Sequence, residues 1–211
     1  SKNPKVAPCE QFMVSSSHRL AFFGGTFDPL HNGHLMLIEE TLRRKEIDSL
    51  LLCPAYQAPL RESQTLFSGH CRLEMVQAIS RRNSKIQAFD HEIRSSKTCF
   101  TYETLLEVKK SFPQHEISLL LGADQFNRLS LWKYLDLLVP MVHFLIFSRE
   151  GNSLAPPTCQ SSVKYSVMEN PIIDISSTAI RELLKNEQPI SHLVPEEINS
   201  IIQNSFPLSK S

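Results

Sequence analysis

The chain has no excess of charge of either sign: Lys plus Arg and Asp plus Glu each number 22, so the formal net charge is zero. A whole-protein field that draws in nucleic acid or an anionic membrane surface is thereby excluded, although a local basic pocket is not. Cysteine is scarce and odd in number, with Cys9, Cys53, Cys71, Cys99 and Cys159 and no C-x-x-C pair. This argues against a disulfide framework or a Cys-rich zinc site and favours a reducing compartment, so a cytoplasmic location is expected. No apolar run approaches the roughly 18 to 20 residues that a spanning helix needs. The first 18 residues lack the apolar core of a secretion signal, and the chain shows no internal repeat and no low-complexity tract.

What is present is a chain of 211 residues, enough for one substantial domain with its own core. Residues 1–18 are polar, with two prolines and a serine triplet, and read as a disordered lead-in or a remnant outside the domain; 19–211 is the expected domain. From there short apolar runs alternate with helical patterns. Strands are expected at 19–24, 49–54, 86–89, 117–122, 142–147 and 172–175. Helices are expected at about 34–46, 69–82, 101–112, 131–138, 177–186 and 195–204, with loops at 54–68 and 151–162. The alternation predicts an α/β fold, a single Rossmann-like, doubly wound domain with a mainly parallel sheet and helices on both faces. Ligands of such sheets bind beyond the carboxyl ends of the strands, which here are Gly24, Pro54, Gly122 and Arg149.

At the first of these ends the sequence reads GGTFDPLHNGH, from Gly24 to His34. Paired glycines let the backbone turn sharply and approach a phosphate without a Cβ in the way. The following helix offers free N–H groups and a partial positive charge. His31 and His34 share one face at that helix start, and each can donate a hydrogen bond to phosphoryl oxygen. The segment is neither a Walker P-loop nor a G-x-G-x-x-G fingerprint. Taken by itself it is equally readable as a plain strand-turn-helix corner with two surface histidines. No third ligand supports a zinc site, so no protein-held metal is expected.

This segment closely resembles the H-x-G-H signature of the nucleotidyltransferase superfamily, and its longer form is similar to that of bacterial nicotinate-nucleotide adenylyltransferases. The resemblance implies that Gly24, Gly25, Thr26, Phe27, His31 and His34 contact ATP. A second segment, Ile175 to Arg181, reads ISSTAIR and precedes a helical pattern. Alone it is an ordinary capped helix with a solvated arginine. It resembles the family's phosphate-binding I-S-S-T-x-x-R, which implies that Ser176, Ser177, Thr178 and Arg181 hold the outgoing pyrophosphate.

Further matches run along the chain. Gly122-Ala123-Asp124 is similar to the family's G-[SA]-D, implying ribose contacts from Asp124, which otherwise caps a helix. Arg149-Glu150-Gly151 resembles R-x-G beside the adenosine. Trp132 lies in a family-like W-x-x-hydrophobic-[DE]-x-L, implying a ring stacked on pyridine. Thr101 lies in a segment like S-Y-T-x-D-T-L, whose Thr amide helps hold the pyridine carboxylate; a simple N-cap is the other reading. Phe100 and Glu103 stand where the family has Tyr and Asp. Leu60 and Arg61 replace the family's His-Lys, with Arg61 keeping a cation. Arg61, Thr101, Trp132 and Lys133 make up the expected acceptor-binding set. Arg72 and Met75 match the family's R-x-x-M, and Met75 is read as packing.

The resemblance thus implies adenylyl transfer from ATP to nicotinate mononucleotide, with His31, His34 and Arg181 as the catalytic residues. Mg²⁺ held mainly by the ATP phosphates is the implied cofactor. ATP and a pyridine mononucleotide are the expected partners, without nucleic acid or membrane, and the sequence is compatible with a homo-oligomer. Transfer to nicotinamide mononucleotide or phosphopantetheine, and a catalytically silent nucleotide-binding protein, remain open at this point.

Overall fold

Successive residues of a strand face opposite sides of its sheet, and here both sides are apolar. A computed structural model describes residues 18–57, 64–148, 154–159 and 162–205. Among them β1 (Arg19–Gly25), β2 (Ser49–Pro54), β3 (Ile86–Ala88), β4 (Glu116–Gly122), β5 (Val142–Phe147) and β6 (Tyr165–Met168) form one sheet. The order is β3-β2-β1-β4-β5-β6 and every pairing is parallel. The helices are α1 (Asn32–Arg43), α2 (Gly69–Ser80), α3 (His91–Ser95), α4 (Thr101–Ser111), α5 (Ala123–Asn127), α6 (Leu135–Leu138), α7 (Ser177–Lys185) and α8 (Glu196–Ser205).

On one face Ala21, Phe23, Leu50, Leu52, Leu120 and Leu145 pack with buried residues of α1, α2, α7 and α8. On the other face Leu20, Phe22, Leu51, Leu119, Phe144 and Ile146 pack with α4, α5 and α6. The expected doubly wound, Rossmann-like architecture is therefore present. The chain winds outward from β1 to β3 and then crosses to β4 on the other side of β1. This reversal opens a crevice beyond the carboxyl ends of β1 and β4. Among the described residues no helix is long and apolar enough to cross a membrane.

Two expected elements are corrected. Residues 172–175 form no strand: Ile172 and Ile173 are 54% and 40% exposed, and the edge position is taken by β6. An edge strand needs little burial, and β6 buries only Met168, so its sequence gave no strong apolar run. The helix expected over 131–138 is only α6. Before it lies a 3₁₀ turn at Leu129–Leu131, an extended Trp132 and a left-handed Tyr134 with φ of 63°. Trp132 leans on the second core while Leu131 and Leu137 stay exposed, so the segment does not keep one helical face. The short helices α3 and α5 were not anticipated. In α1 the fully buried positions include Leu37 and Ile38, with Leu35 and Leu42 only partly covered. Met75 is buried packing, as expected.

One buried charge organises the loops that follow the first two strands. Arg72 in α2 is 1% exposed. Its Nη1 donates to the carbonyls of Thr26 at 2.8 Å and Ala55 at 2.6 Å, Nη2 to Tyr56 at 3.1 Å and Nε to Phe67 at 3.3 Å. A guanidinium supplies fixed, planar donors, so it sets the spacing of these backbones as well as neutralising their dipoles. Arg72→Met would leave several buried carbonyls without a donor and should lower unfolding free energy by on the order of 3 kcal/mol. Urea denaturation of the variant beside the wild type measures it.

Candidate active site

The turn after β1 carries the first motif. His31 is the N-cap of α1, and its Nδ1 accepts the Gly33 amide at 3.1 Å. The Nδ1 of His34 accepts the His31 amide at 3.3 Å. The two imidazoles stack with centroids 3.7 Å apart and planes at 27°. Because both Nδ1 atoms accept, a neutral ring carries its proton on Nε2 in each case. In that tautomer Nε2 is the donor atom of each ring. Gly33 suits this arrangement, since a Cβ there would lie 3.0 Å from the His31 ring and press on it. Phe27 packs its buried ring edge-on against His34 at 5.1 Å and adopts a positive φ of 49°.

The second motif docks directly on this turn. Ser176 caps α7 by accepting the Ala179 amide at 3.1 Å. Ser177 Oγ donates to the Pro29 carbonyl at 3.0 Å. Arg181 Nη1 donates to the Asp28 carbonyl at 2.8 Å and lies 3.5 Å from its carboxylate, while Nη2 meets Thr178 Oγ1 at 3.0 Å. The Asp28 carboxylate is fully buried and also accepts the amides of Leu66 at 3.0 Å and Phe67 at 2.9 Å. The structure thus brings the two motifs together, with Asp28 between them.

Two cavities open on the crevice. One, of about 270 Å³, is lined by His31, Gly33, His34, Phe147, Ser148 and the Asn170–Ile173 segment. The other, of about 380 Å³, is lined by Thr26, Glu92, Phe100, Thr101, Arg128, Trp132 and Lys133, among others. They share Gly24, Gly25, Asp124 and Gln125. Ser148 and Asn170 fix the mouth of the smaller cavity, the Asn170 side chain bonding both the amide and the carbonyl of Ser148 at 3.0 and 3.2 Å.

In the larger cavity, Thr101 is the first residue of α4, following Phe100 in the cap position. Glu103 takes the Phe100 amide at 2.9 Å, so it closes the helix start. Trp132 is half-buried, and Lys133 Nζ lies over the rings of Phe100 at 4.6 Å and Tyr134 at 4.9 Å. Gly122 sits beneath Asp124, where a Cβ would meet Oδ1 at 2.7 Å. Glu92, 7% exposed, accepts the Thr104 hydroxyl at 2.7 Å and the Tyr56 amide at 3.3 Å. Burial is the largest influence on it and pushes its carboxyl above the usual range, against these hydrogen bonds and the charge of Arg72.

Comparison with known proteins agrees with this geometry. The family model described as cytidylyltransferase-like matches residues 22–183. The "Probable nicotinate-nucleotide adenylyltransferase" of Oceanobacillus iheyensis is 32% identical over 184 residues, covering 87% of this chain and 93% of that protein. The chain belongs to the nicotinate-nucleotide adenylyltransferase family. The Clostridium novyi protein of the same description is 30% identical over 187 residues, covering 85% and 94%. In fold, the chain resembles the Plasmodium falciparum nicotinic acid mononucleotide adenylyltransferase complexed with NaAD. The TM-score is 0.73 at 22% identity, over 89% of this chain and 95% of that one.

Not every residue matched to the family pattern faces a cavity. Gly24, Gly25, His31, His34 and Asp124 line the smaller one, and Thr101, Trp132 and Lys133 the larger. Thr26 lines the larger cavity instead of the smaller, and Phe27 and Gly122 line neither of the two. Ser176, Ser177, Thr178 and Arg181 also line neither; they stand against the turn of the first motif. Arg61 and Arg149 lie outside the described residues.

Sequence reasoning missed Asp28 and Glu92 as site residues. Asp28 carried a signal, an acid set among Phe27, Pro29 and Leu30; Glu92, on an unanticipated short helix, carried none.

His34→Ala should lower kcat/KM for adenylyl transfer by at least about a hundredfold, as loss of a transition-state donor does, with a urea midpoint close to wild type. Asp28→Asn swaps an acceptor oxygen for a donor opposite Leu66 or Phe67. It should cost on the order of 1–3 kcal/mol, read as a fall in Tm, and lower kcat/KM as well.

Proposed function

We propose that this protein is an enzyme that transfers the adenylyl group of ATP to nicotinate mononucleotide in the cytoplasm, giving deamido-NAD and pyrophosphate. The observation that carries this reading is the meeting of two cavities at Gly24 and Gly25, one lined by the stacked histidines and the other by Trp132 and Thr101. Relatives bearing the adenylyltransferase description across most of the chain support it.

An oxygen of the mononucleotide phosphate attacks the α-phosphorus of ATP in line. The new P–O bond forms as the bond to the β-phosphate oxygen breaks, and pyrophosphate leaves with that electron pair. No protein nucleophile is needed, so positioning and charge stabilisation do the work. The Nε2–H groups of His31 and His34 donate to phosphate oxygens as charge builds. Ser176, Ser177, Thr178 and Arg181 serve the leaving pyrophosphate, from a position fixed by Asp28 and Pro29.

Asp124, exposed at the junction, accepts ribose hydroxyls, and the family resemblance assigns Arg149 to the adenosine. In the acceptor cavity Trp132 stacks on the pyridine and the Thr101 amide faces its carboxylate, and the family resemblance assigns Arg61 to the acceptor phosphate. Among the described residues no three His, Cys, Asp or Glu side chains cluster as metal ligands. Mg²⁺ would be held mainly by phosphate and water, with Asp124, which lines both cavities, as the neighbouring carboxylate, and would supply neutralisation of the ATP oxygens.

Purified protein with ATP, Mg²⁺ and nicotinate mononucleotide should release pyrophosphate and form deamido-NAD in equal amounts. Absence of turnover with this acceptor, with nicotinamide mononucleotide and with phosphopantetheine would overturn the reading.

A further inference from the structure

The larger cavity already holds one anion in its wall. Glu92 lines it, and its carboxylate is buried beside Thr104 and Tyr56. A second carboxylate on an incoming pyridine meets an unfavourable field unless a cation faces it. Among the described residues two cationic side chains line the cavity, Arg128 and Lys133, along with the carboxylate of Asp124 at the shared floor.

The acceptor's phosphate must lie at the floor of Gly24, Gly25 and Asp124, where the ATP cavity begins. Its pyridine then lies at the other end, with Trp132 and the start of α4. Lys133 follows Trp132 directly. Its ammonium is held over Phe100, the residue before Thr101, and over Tyr134. Phe100 and Tyr134 are themselves packed edge-on at 5.9 Å, and Tyr102 meets Tyr134 at 5.5 Å. The aromatic faces orient the ammonium by their negative quadrupole and limit its wandering. The left-handed Tyr134 backbone, φ 63°, sets the turn that brings its ring there.

Resting on the proposed reaction, we infer that Lys133 is a specificity-determining residue that selects a pyridine carboxylate over the equally shaped carboxamide. Acid and amide differ by a full charge at almost constant volume, so shape alone separates them poorly. The ammonium attracts the carboxylate by charge and meets only a dipole in the amide. The first turn of α4 adds its partial positive charge from the same side.

The test compares nicotinate and nicotinamide mononucleotides as acceptors for wild type, Lys133→Met and Lys133→Arg. Wild type should prefer the acid. The Met variant should reduce the acid-to-amide ratio of kcat/KM by at least about tenfold, mainly through KM for the acid. The Arg variant should keep the ratio within about threefold of wild type. An unchanged ratio in the Met variant overturns the inference. So does an equal rise in KM for both acceptors, which would place Lys133 on the phosphate they share, and so does a wild type indifferent to the two. Wild type that turns over neither acceptor would instead remove the proposed function on which the inference rests.

Discussion

A single buried carboxylate, Asp28, joins two parts of the chain that are far apart in sequence. Its neighbours Phe27, Pro29 and Leu30 are buried with it, so its charge is held in an apolar corner. Such a charge is tolerable only when hydrogen-bonded and paired. The Leu66 and Phe67 amides and the Arg181 guanidinium meet that demand. In doing so they fix the first motif against helix α7, 153 residues away along the chain from Asp28 to Arg181. The histidine pair stands on the far side of the same turn. Its geometry is therefore tied to α7 through the contacts of Asp28.

The acceptor side has a matching support of opposite sign. Arg72 gathers carbonyls from the loops after β1 and β2, and Glu92 takes the Tyr56 amide and the Thr104 hydroxyl. Between them they set the distance from the β2 loop to α4. Both are almost wholly buried, and neither would survive there without its polar partners. The walls of the site are thus positioned by groups that belong to the core, which keeps the cavity surface available for ligand contacts.

Much of this was legible in the residues. Continuous apolar runs such as Leu119 to Leu121 announced a sheet buried on both faces, and glycine, proline and serine marked where strands and helices turn. The two phosphate-type motifs were visible as strings, yet neither string alone excluded an ordinary capped helix or turn. What neither string shows is their contact in space, which depends on the whole sheet. β6 was missed because an edge strand needs only Met168 inside, while Ile172 and Ile173 misled by being apolar and exposed. The segment from Leu131 to Leu138 looked helical by composition, and the packing of Trp132 overrode that preference. Arg72 and Glu92 carry no local signal of their roles, since their partners come from distant segments.

The strip of backbone at Gly24 and Gly25, common to both cavities, bears on kinetics. In the proposed reaction a dinucleotide formed across it would occupy the places of both reactants at once, whereas pyrophosphate would occupy only one side. Accumulated dinucleotide would therefore compete with ATP and with the mononucleotide alike. On that placement, release of the long product, not of pyrophosphate, returns the whole crevice to use.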